Sequence, residues 1–519
     1  MTAGSAIATG MDVTIDFGVR ASAEMFPGKT ALIEGGRSLT FASLVERMNR
    51  AGNAATAGLG LSPGETVIVL APNCLEYIEI VAGISATGVI VATLNPRLAP
   101  REIAFIAADC KARAMIVEES LLDRVLGVDL AGVETIVVLG RARGEHQAYE
   151  DWIASASAAQ SPLRARETDT FSLPYTSGTT GKPKGVMVPH RSRVLTFLGM
   201  SVAYGGYGPN ETYLAVAPLF HGAGFSFAMA APFFGGTCEI LAGFEPETVI
   251  SKLHEGGFSG TFMVPTHFHA VFNLEPAVLA KNRGNRLKAL VSNAAPLAQA
   301  TKHRIVDYFG EGVLHETYGS TEAAIVTNLR PEDQLRKERC VGQAFPLTQI
   351  KLVDKDGAPV AQGEVGELFS RSPYLFNGYF GQPDETAKAF RDGWVTAGDM
   401  ARMDEEGYIF LVDRKKDMVI TGGINVYPRE IEEVLFTHEA IREAAVIGVP
   451  DDYWGEKLVA FVVTARDRTV DRPQLDAFLR DSLATYKVPR DVHFVDALPR
   501  NAAGKVVKGD LKDMLEGKD

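Results

Sequence analysis

The chain has little cysteine, no long apolar run and no block of basic charge. Its four cysteines, Cys74, Cys110, Cys238 and Cys340, stand apart, with no CxxC pair and no metal-ligand spacing. That argues against a disulfide framework or a zinc site and for reduced thiols in a cytoplasmic protein. The longest apolar-and-small stretch, residues 80–94, falls short of the roughly 20 residues that a membrane-spanning helix needs. It reads as a buried helix running into a strand. Residues 214–235 form a longer stretch, but Pro218, His221 and Pro232 interrupt it. A packed core beside a pocket suits it better than a lipid span. No basic-then-apolar signal pattern opens the chain, and no peroxisomal tripeptide closes it. Internal repeats and low-complexity linkers are absent too. A net charge of −12 disfavours nucleic acid and anionic membrane as partners. Anionic small molecules stay open, because one local basic loop can bind them.

A chain of 519 residues is too long for a single core, so at least two domains are expected. Strand-like runs recur at 65–71, 89–94, 114–118, 135–140, 213–217, 237–241, 260–264, 289–292 and 313–317. Helical stretches separate them. One covers 38–59, with Leu44, Met48, Ala51 and Ala55 on one face. Such alternation predicts an α/β fold with layered, mostly parallel sheets. After Gly407 the character changes. A strand at 408–412 leads into a charged knot, Asp413–Asp417. A glycine pair, an acidic helix at 429–436, strands at 444–449 and 458–463 and a helix near 474–483 follow. These read as a small α+β unit. The expected domains are 1–413 and a mobile 414–519.

The most informative stretch is 175–185, YTSGTTGKPKG, which lies between two apolar runs. Glycines let backbone amides turn inward around an anion. The hydroxyls of Thr176, Ser177, Thr179 and Thr180 add donors, and Lys182 and Lys184 add positive charge. A polyphosphate needs this chemistry. It is not a Walker A loop, because Thr176 stands where the first glycine belongs and Pro183 follows Lys182. Further strings follow in order: PLFHGAG around His221, PTH at 265–267, SNAAP at 292–296, YGSTE at 318–322, WVTAGD ending at Asp399, DRKKD at 413–417 and LPRNAAGK ending at Lys505.

Together these strings, spread along almost the whole chain, resemble the adenylate-forming superfamily of acyl- and aryl-CoA ligases, peptide-synthetase adenylation domains and luciferases. The resemblance implies ATP, Mg2+ and coenzyme A as cofactors. It implies that Thr176, Ser177, Gly178, Thr179, Thr180, Gly181 and Lys184 cradle the phosphates. Asn293, Ala294, Ala295, Tyr318 and Gly319 would pack on the adenine. Asn293 stands where the family usually has glycine. Thr321 would bond the α-phosphate and Glu322 would hold the metal. Asp399 would take the ribose hydroxyls, with Arg414 near the ribose or phosphates. His221 would border the substrate carboxylate. Phe225, Phe227, Thr266, His267, Ala294, Gly319 and Ile325 would line the acyl pocket. Lys416 falls at the hinge, and Lys505 matches the catalytic lysine that bridges carboxylate and phosphate. Gly422 and Gly423 would line the pantetheine tunnel. Trp454, Tyr486, Lys487 and Arg490 would meet the coenzyme A nucleotide, with Val488 where some relatives carry a base.

The implied reaction is acid–CoA ligation. The carboxylate attacks the α-phosphorus of ATP, pyrophosphate leaves, the small domain rotates, and the thiol of coenzyme A takes the acyl group. No acid follows His221 within 224–227 to hold an α-ammonium, which disfavours an amino-acid adenylation domain. A carrier-protein acceptor, a luciferase-like oxygenase and a non-catalytic ATP-binding module are the alternatives. No Arg or Lys stands among the pocket candidates, so an aryl or medium-chain or alicyclic monocarboxylate is expected. A homodimer would be unsurprising for the family, and no fused carrier domain is expected.

Overall fold

The computed structural model describes residues 11–177, 183–414, 417–421, 424–451, 453–465, 468–500 and 506–515. Packing divides the chain into two compact units. One comprises Met1–Glu338, Gly342–Gln349 and Ser370–Val395; the other comprises Arg339–Val341, Ile350–Phe369 and Thr396–Asp519.

The first unit contains two large sheets. The central strand of the smaller one is Thr66–Leu70, TVIVL, buried along its whole length. A continuous β-branched run of this kind suits a strand covered on both faces. It pairs in parallel with Ile90–Leu94 and Ala112–Glu118, and the latter pairs in parallel with Thr135–Leu139. The crossover helix Leu75–Ser85 is buried on every side and mostly apolar, as such a helix must be; its two acids, Glu76 and Glu79, are paired with Arg37 and Arg47. It leads into Ile90–Leu94, so residues 80–94 are the helix-then-strand that the sequence suggested.

The second sheet has nine strands. At its centre, Thr212–Ala215, Gly260–Met263, Ala289–Ser292 and Leu314–Ser320 are neighbours in that order, and all are parallel. At the far edge the structure differs from the expected helix over 38–59. Arg37–Thr40 is a strand that returns on Thr30–Glu34 around Gly35 and Gly36. The helix starts at Phe41, where the Thr40 hydroxyl accepts a hydrogen bond from the Ser43 amide at 3.2 Å. That cap satisfies one of the free amides of the first turn and sets the start.

In the second unit, Gly366 and Glu367 pair antiparallel with Asp399–Met403, which pairs antiparallel with Ile409–Arg414. Asp399 follows the short strand Trp394–Val395 and opens the next one. Gly398, at φ +79, makes the tight turn that lets the chain re-enter the sheet. A second sheet is built on the hairpin of Ile441–Asp451 and Gly455–Thr464. Helices Pro428–Leu435 and Arg472–Ser482 cover one face through Ile431, Leu435, Leu475 and Leu479. The terminal helix Lys508–Leu515 covers the other, with Leu511 fully buried against Ile447 and Phe461. Among the described residues, no helix is long and apolar enough to cross a membrane.

Candidate active site

Parallel strands present their C-terminal ends on one edge of a sheet, where ligands of α/β proteins bind. Four of the strings sit on that edge, after four adjacent strands. His221 follows Thr212–Ala215, Thr266 and His267 follow Gly260–Met263, Asn293 to Ala295 follow Ala289–Ser292, and Gly319 to Glu322 end Leu314–Ser320. Strings separated by up to a hundred residues in sequence thus become neighbours in the sheet.

Local contacts fix their shape. The Asn293 side-chain amide donates to Thr317 Oγ1 at 2.8 Å, which ties one string to the next strand. Beside Asn293, Ala294 takes φ +77, a region alanine adopts at a cost. Gly319 has no alternative. A Cβ there would stand 1.8 Å from the Ala324 carbonyl oxygen. Ala324 itself turns at φ +54, so the strand doubles back tightly and Thr321 and Glu322 occupy the bend. Ile325, on the returning strand, is buried.

Glu322 is held at both ends. Its carbonyl accepts from the Phe376 amide at 2.9 Å. Its Oε1 accepts from the Tyr379 hydroxyl at 2.8 Å. Burial, then the charge of Glu322, pushes the Tyr379 phenol up, so it stays a donor. One carboxylate oxygen of Glu322 is committed to Tyr379. A hard cation that takes one protein carboxylate plus phosphate oxygens fits this arrangement.

The phosphate-loop string forms a hairpin, with Thr176 opposite Lys184 and Ser177 opposite Pro183. Gly178, Thr179, Thr180 and Gly181 lie outside the described residues. Lys184 is only 7% exposed and pairs with Glu385. Its ammonium also lies 5.2 Å from the centre of the Tyr379 ring. The Glu385 carboxyl is held down at about 2 by Lys184 and then Lys388. The charge of Lys184, read from sequence as a phosphate contact, is therefore neutralised inside the protein. Tyr379 and Glu385 were missed in the sequence. Their only signal was GYFGQPDET at 378–386, a glycine-rich turn before a helix whose first turn carries Asp384 and Glu385.

The pocket candidates divide. Phe225 and Phe227 are core residues, and Phe227 stacks on Phe262 with centroids 4.6 Å apart. Thr266 is exposed, and His267 stacks on Phe244 at 3.9 Å. Burial pushes the His267 imidazole down to about 4, so it is neutral at pH 7. The PTH string is not a free turn: Pro265 begins a helix that runs to Phe272. His221 caps the helix Gly222–Phe233, its Nδ1 accepting from the Ala223 amide at 3.4 Å. The sequence reading also missed Arg193. It is 7% exposed, donates to the Ser226 hydroxyl, and leaves its Nε without a partner. Burial alone pushes its guanidinium down to about 10.

In the second unit, Arg414 Nε donates to Asp399 Oδ1 at 3.2 Å. Asp413 accepts from the amides of Arg414 and Arg429 at 2.7 and 2.9 Å. Burial raises the carboxyl of Asp413 despite those bonds. Lys416, Gly422, Gly423 and Lys505 lie outside the described residues. Their flanks are described: Thr421 pairs with Ile424, and Arg500 with Val506. The terminal helix behind Lys505 is anchored by Lys508, which pairs with Glu432 at 2.8 Å. Burial works against the Lys508 charge, but Glu432 and Asp413 outweigh it and hold its pKa up. Trp454 lies under the Arg490 guanidinium at 4.1 Å, and Tyr486 is exposed. Lys487 bonds Glu430 at 2.6 and 2.8 Å. Val488 belongs to the core, so it presents nothing to a ligand.

Residues 19–380 match the family of AMP-binding enzymes, and residues 430–505 match the AMP-binding enzyme C-terminal domain. The chain belongs to the AMP-binding enzyme family. It is 34% identical over 501 residues to feruloyl-CoA synthase of an Amycolatopsis species, covering 94% of this chain and 96% of that protein. It is 32% identical over 510 residues to 2-succinylbenzoate–CoA ligase of Geobacillus sp. strain WCH70, covering 97% and 98%. Amide bond synthetase McbA from Marinactinospora thermotolerans has the same fold, with a TM-score of 0.85 and 28% identity across 96% of this chain and 99% of that one.

Proposed function

We propose that this member of the family activates an aryl or similarly compact carboxylic acid. The chain is an AMP-forming acid–CoA ligase: it joins a carboxylate to AMP with release of pyrophosphate and passes the acyl group to the thiol of coenzyme A. The observation that carries the reading is the edge formed by four adjacent parallel strands, which bears His221, Thr266–His267, Asn293–Ala295 and Gly319–Glu322 together. The feruloyl and 2-succinylbenzoate relatives are named for aromatic acids, and this supports the aryl class.

Adenylation needs an in-line attack and stabilised charge, not a covalent nucleophile on the protein. In this reading Thr321 donates to the α-phosphate. Glu322 would hold Mg2+, which would supply positive charge against the phosphates. Tyr379 holds that carboxylate in one orientation. The hairpin of Thr176, Ser177 and Lys184 carries the glycine loop, with Glu385 securing its base. His221 borders the reacting carboxylate, and Asp399 accepts the ribose hydroxyls. Lys505 bridges carboxylate and phosphate in the first half-reaction. Residues 414–519 then rotate about Lys416, and Gly422 and Gly423 approach the thioester-forming site. Trp454, Tyr486 and Arg490 meet the coenzyme A nucleotide. The four thiols are free, which supports a cytoplasmic setting. Resemblance to the family also supports a homodimer.

Incubation with ATP, Mg2+, coenzyme A and a panel of aryl, fatty, alicyclic and amino acids tests this, with mass spectrometry of the products. A thioester from aryl acids supports the reading. Acyl-adenylate without thioester favours another acceptor, such as the amine that the name amide bond synthetase implies for McbA.

A further inference from the structure

A buried arginine without a carboxylate partner is expensive, because burial removes hydration that no opposite charge replaces. Arg193 is such a residue. It sits in the first turn of the helix His190–Tyr204, 7% exposed. Among the described residues no acid pairs with it. Its one hydrogen bond goes to the Ser226 hydroxyl, a neutral group that itself donates to the Gly222 carbonyl. Its Nε is buried and unsatisfied.

The surroundings of Arg193 favour an anion. Ser226 lies one turn inside the helix Gly222–Phe233, whose first turn carries no acidic residue. The positive end of the helix dipole lies there, and of the first-turn amides Ala223's is taken by His221. Gly222 follows His221 directly and leaves open space. A Cβ at Gly222 would have the Arg193 Nη2 as its nearest neighbour, 3.6 Å away. The guanidinium thus borders the position next to the residue placed beside the substrate.

We propose that Arg193, with Ser226 and the amides that open this helix, receives a second anionic group of the acid substrate, so that the acid carries a carboxylate in addition to the one that reacts. This rests on the ligase reading of the same site and narrows its substrate class. It replaces the expected monocarboxylate, which was drawn from a pocket with no visible cation. The reacting carboxylate is the weaker candidate for Arg193. It must stay nucleophilic, and Lys505 and Thr321 already serve that end of the reaction.

The test compares aromatic diacids, such as benzenedicarboxylates and carboxyphenylalkanoates, with their monomethyl esters. These have the same skeleton but lack the second charge. Pyrophosphate release by the full chain with ATP, Mg2+ and coenzyme A gives kcat/KM for each. Wild type should favour the diacid by about tenfold or more, the range of a charge-assisted bond in a dry site. Arg193→Met should erase that ratio through loss on the diacid side, Arg193→Lys should restore part of it, and Ser226→Ala should lower it modestly. Arg193→Met should melt at or above the wild-type temperature, since it removes an unpaired buried charge. Equal activity of wild type on diacid and ester would overturn the proposal. So would a ratio that survives Arg193→Met, or a lower melting temperature with both acids impaired alike. Pyrophosphate release with none of the acids, amino and fatty acids included, would instead overturn the ligase reading beneath it.

Discussion

Tyr379 donates a hydrogen bond to Glu322, with 2.8 Å between the phenol oxygen and Oε1. The two residues are 57 positions apart, and only one of them stands in a recognisable string. A carboxylate that binds metal is oriented by its outer partners, and loss of such a partner commonly weakens metal binding about 10- to 100-fold. Tyr379→Phe is therefore expected to raise the Mg2+ concentration for half-maximal pyrophosphate release by about tenfold. A magnesium titration at saturating ATP reads this directly. An unchanged midpoint would show that Glu322 is oriented without the phenol.

Lys184 and Glu385 act as one unit. If Lys184 shapes the loop through Glu385, then Lys184→Met and Glu385→Gln should each weaken ATP binding to a similar degree. The double variant should add little to either single one, as coupled neighbours do. Calorimetric titration of ATP into the four proteins gives the cycle. A large loss in Lys184→Met beside a silent Glu385→Gln would return Lys184 to direct phosphate contact.

His190 sets a pH limit on stability. It is fully buried. Its Nδ1 accepts from the Ile15 amide at 3.2 Å, and its Nε2 faces the Ser85 carbonyl at 3.2 Å. Only the neutral ring with hydrogen on Nε2 satisfies both. Burial pushes its pKa down to about 4. Below pH 6.5 the unfolded chain binds a proton that the folded one refuses, so stability falls as pH drops from 6.5 toward 4. The slope for this one group is about 1.4 kcal/mol per pH unit. Denaturant unfolding between pH 7 and 5 measures it. His190→Gln, which cannot gain the charge, should flatten the curve. A curve as steep as wild type in the variant would assign the loss to other groups.

Ala294 and Gly319 make opposite predictions from the same geometry. Ala294→Gly relieves the strain at φ +77 and should leave the protein unchanged or raise stability by up to about 1 kcal/mol. Gly319→Ala meets the Ala324 carbonyl at 1.8 Å and should reshape the bend that carries Thr321 and Glu322. Adenylation should then fall more than melting temperature does. Retained adenylation in Gly319→Ala would show that the bend yields without consequence.

In the proposed mechanism, Lys505 serves the first half-reaction and Lys416 the second. Lys505→Ala should abolish pyrophosphate release yet still convert supplied acyl-adenylate to thioester. Substitution of Lys416 by proline should impair thioester formation more than adenylation. Single-turnover assays of each step read the split. Equal damage to both steps from Lys416→Pro would remove it from the hinge.

The sequence alone determined the family, the order of motifs and the two-unit α/β architecture. Those depend on local chemistry. Glycines and hydroxyls in the phosphate loop, an acid after YGST and alternating strands and helices are all visible within a few residues. The tertiary structure decided what depends on distant partners. Lys184 reads as a free cation until Glu385, 201 positions later, is seen to neutralise it. Tyr379 has no motif value until the strand turn at Gly319 brings Glu322 to it. Arg193 looks like an ordinary helix-surface residue until the helix after His221 packs over it and denies it water. Burial and pairing set the charge state and the strength of each contact, and both come from chain folding across sequence distance rather than from any single string.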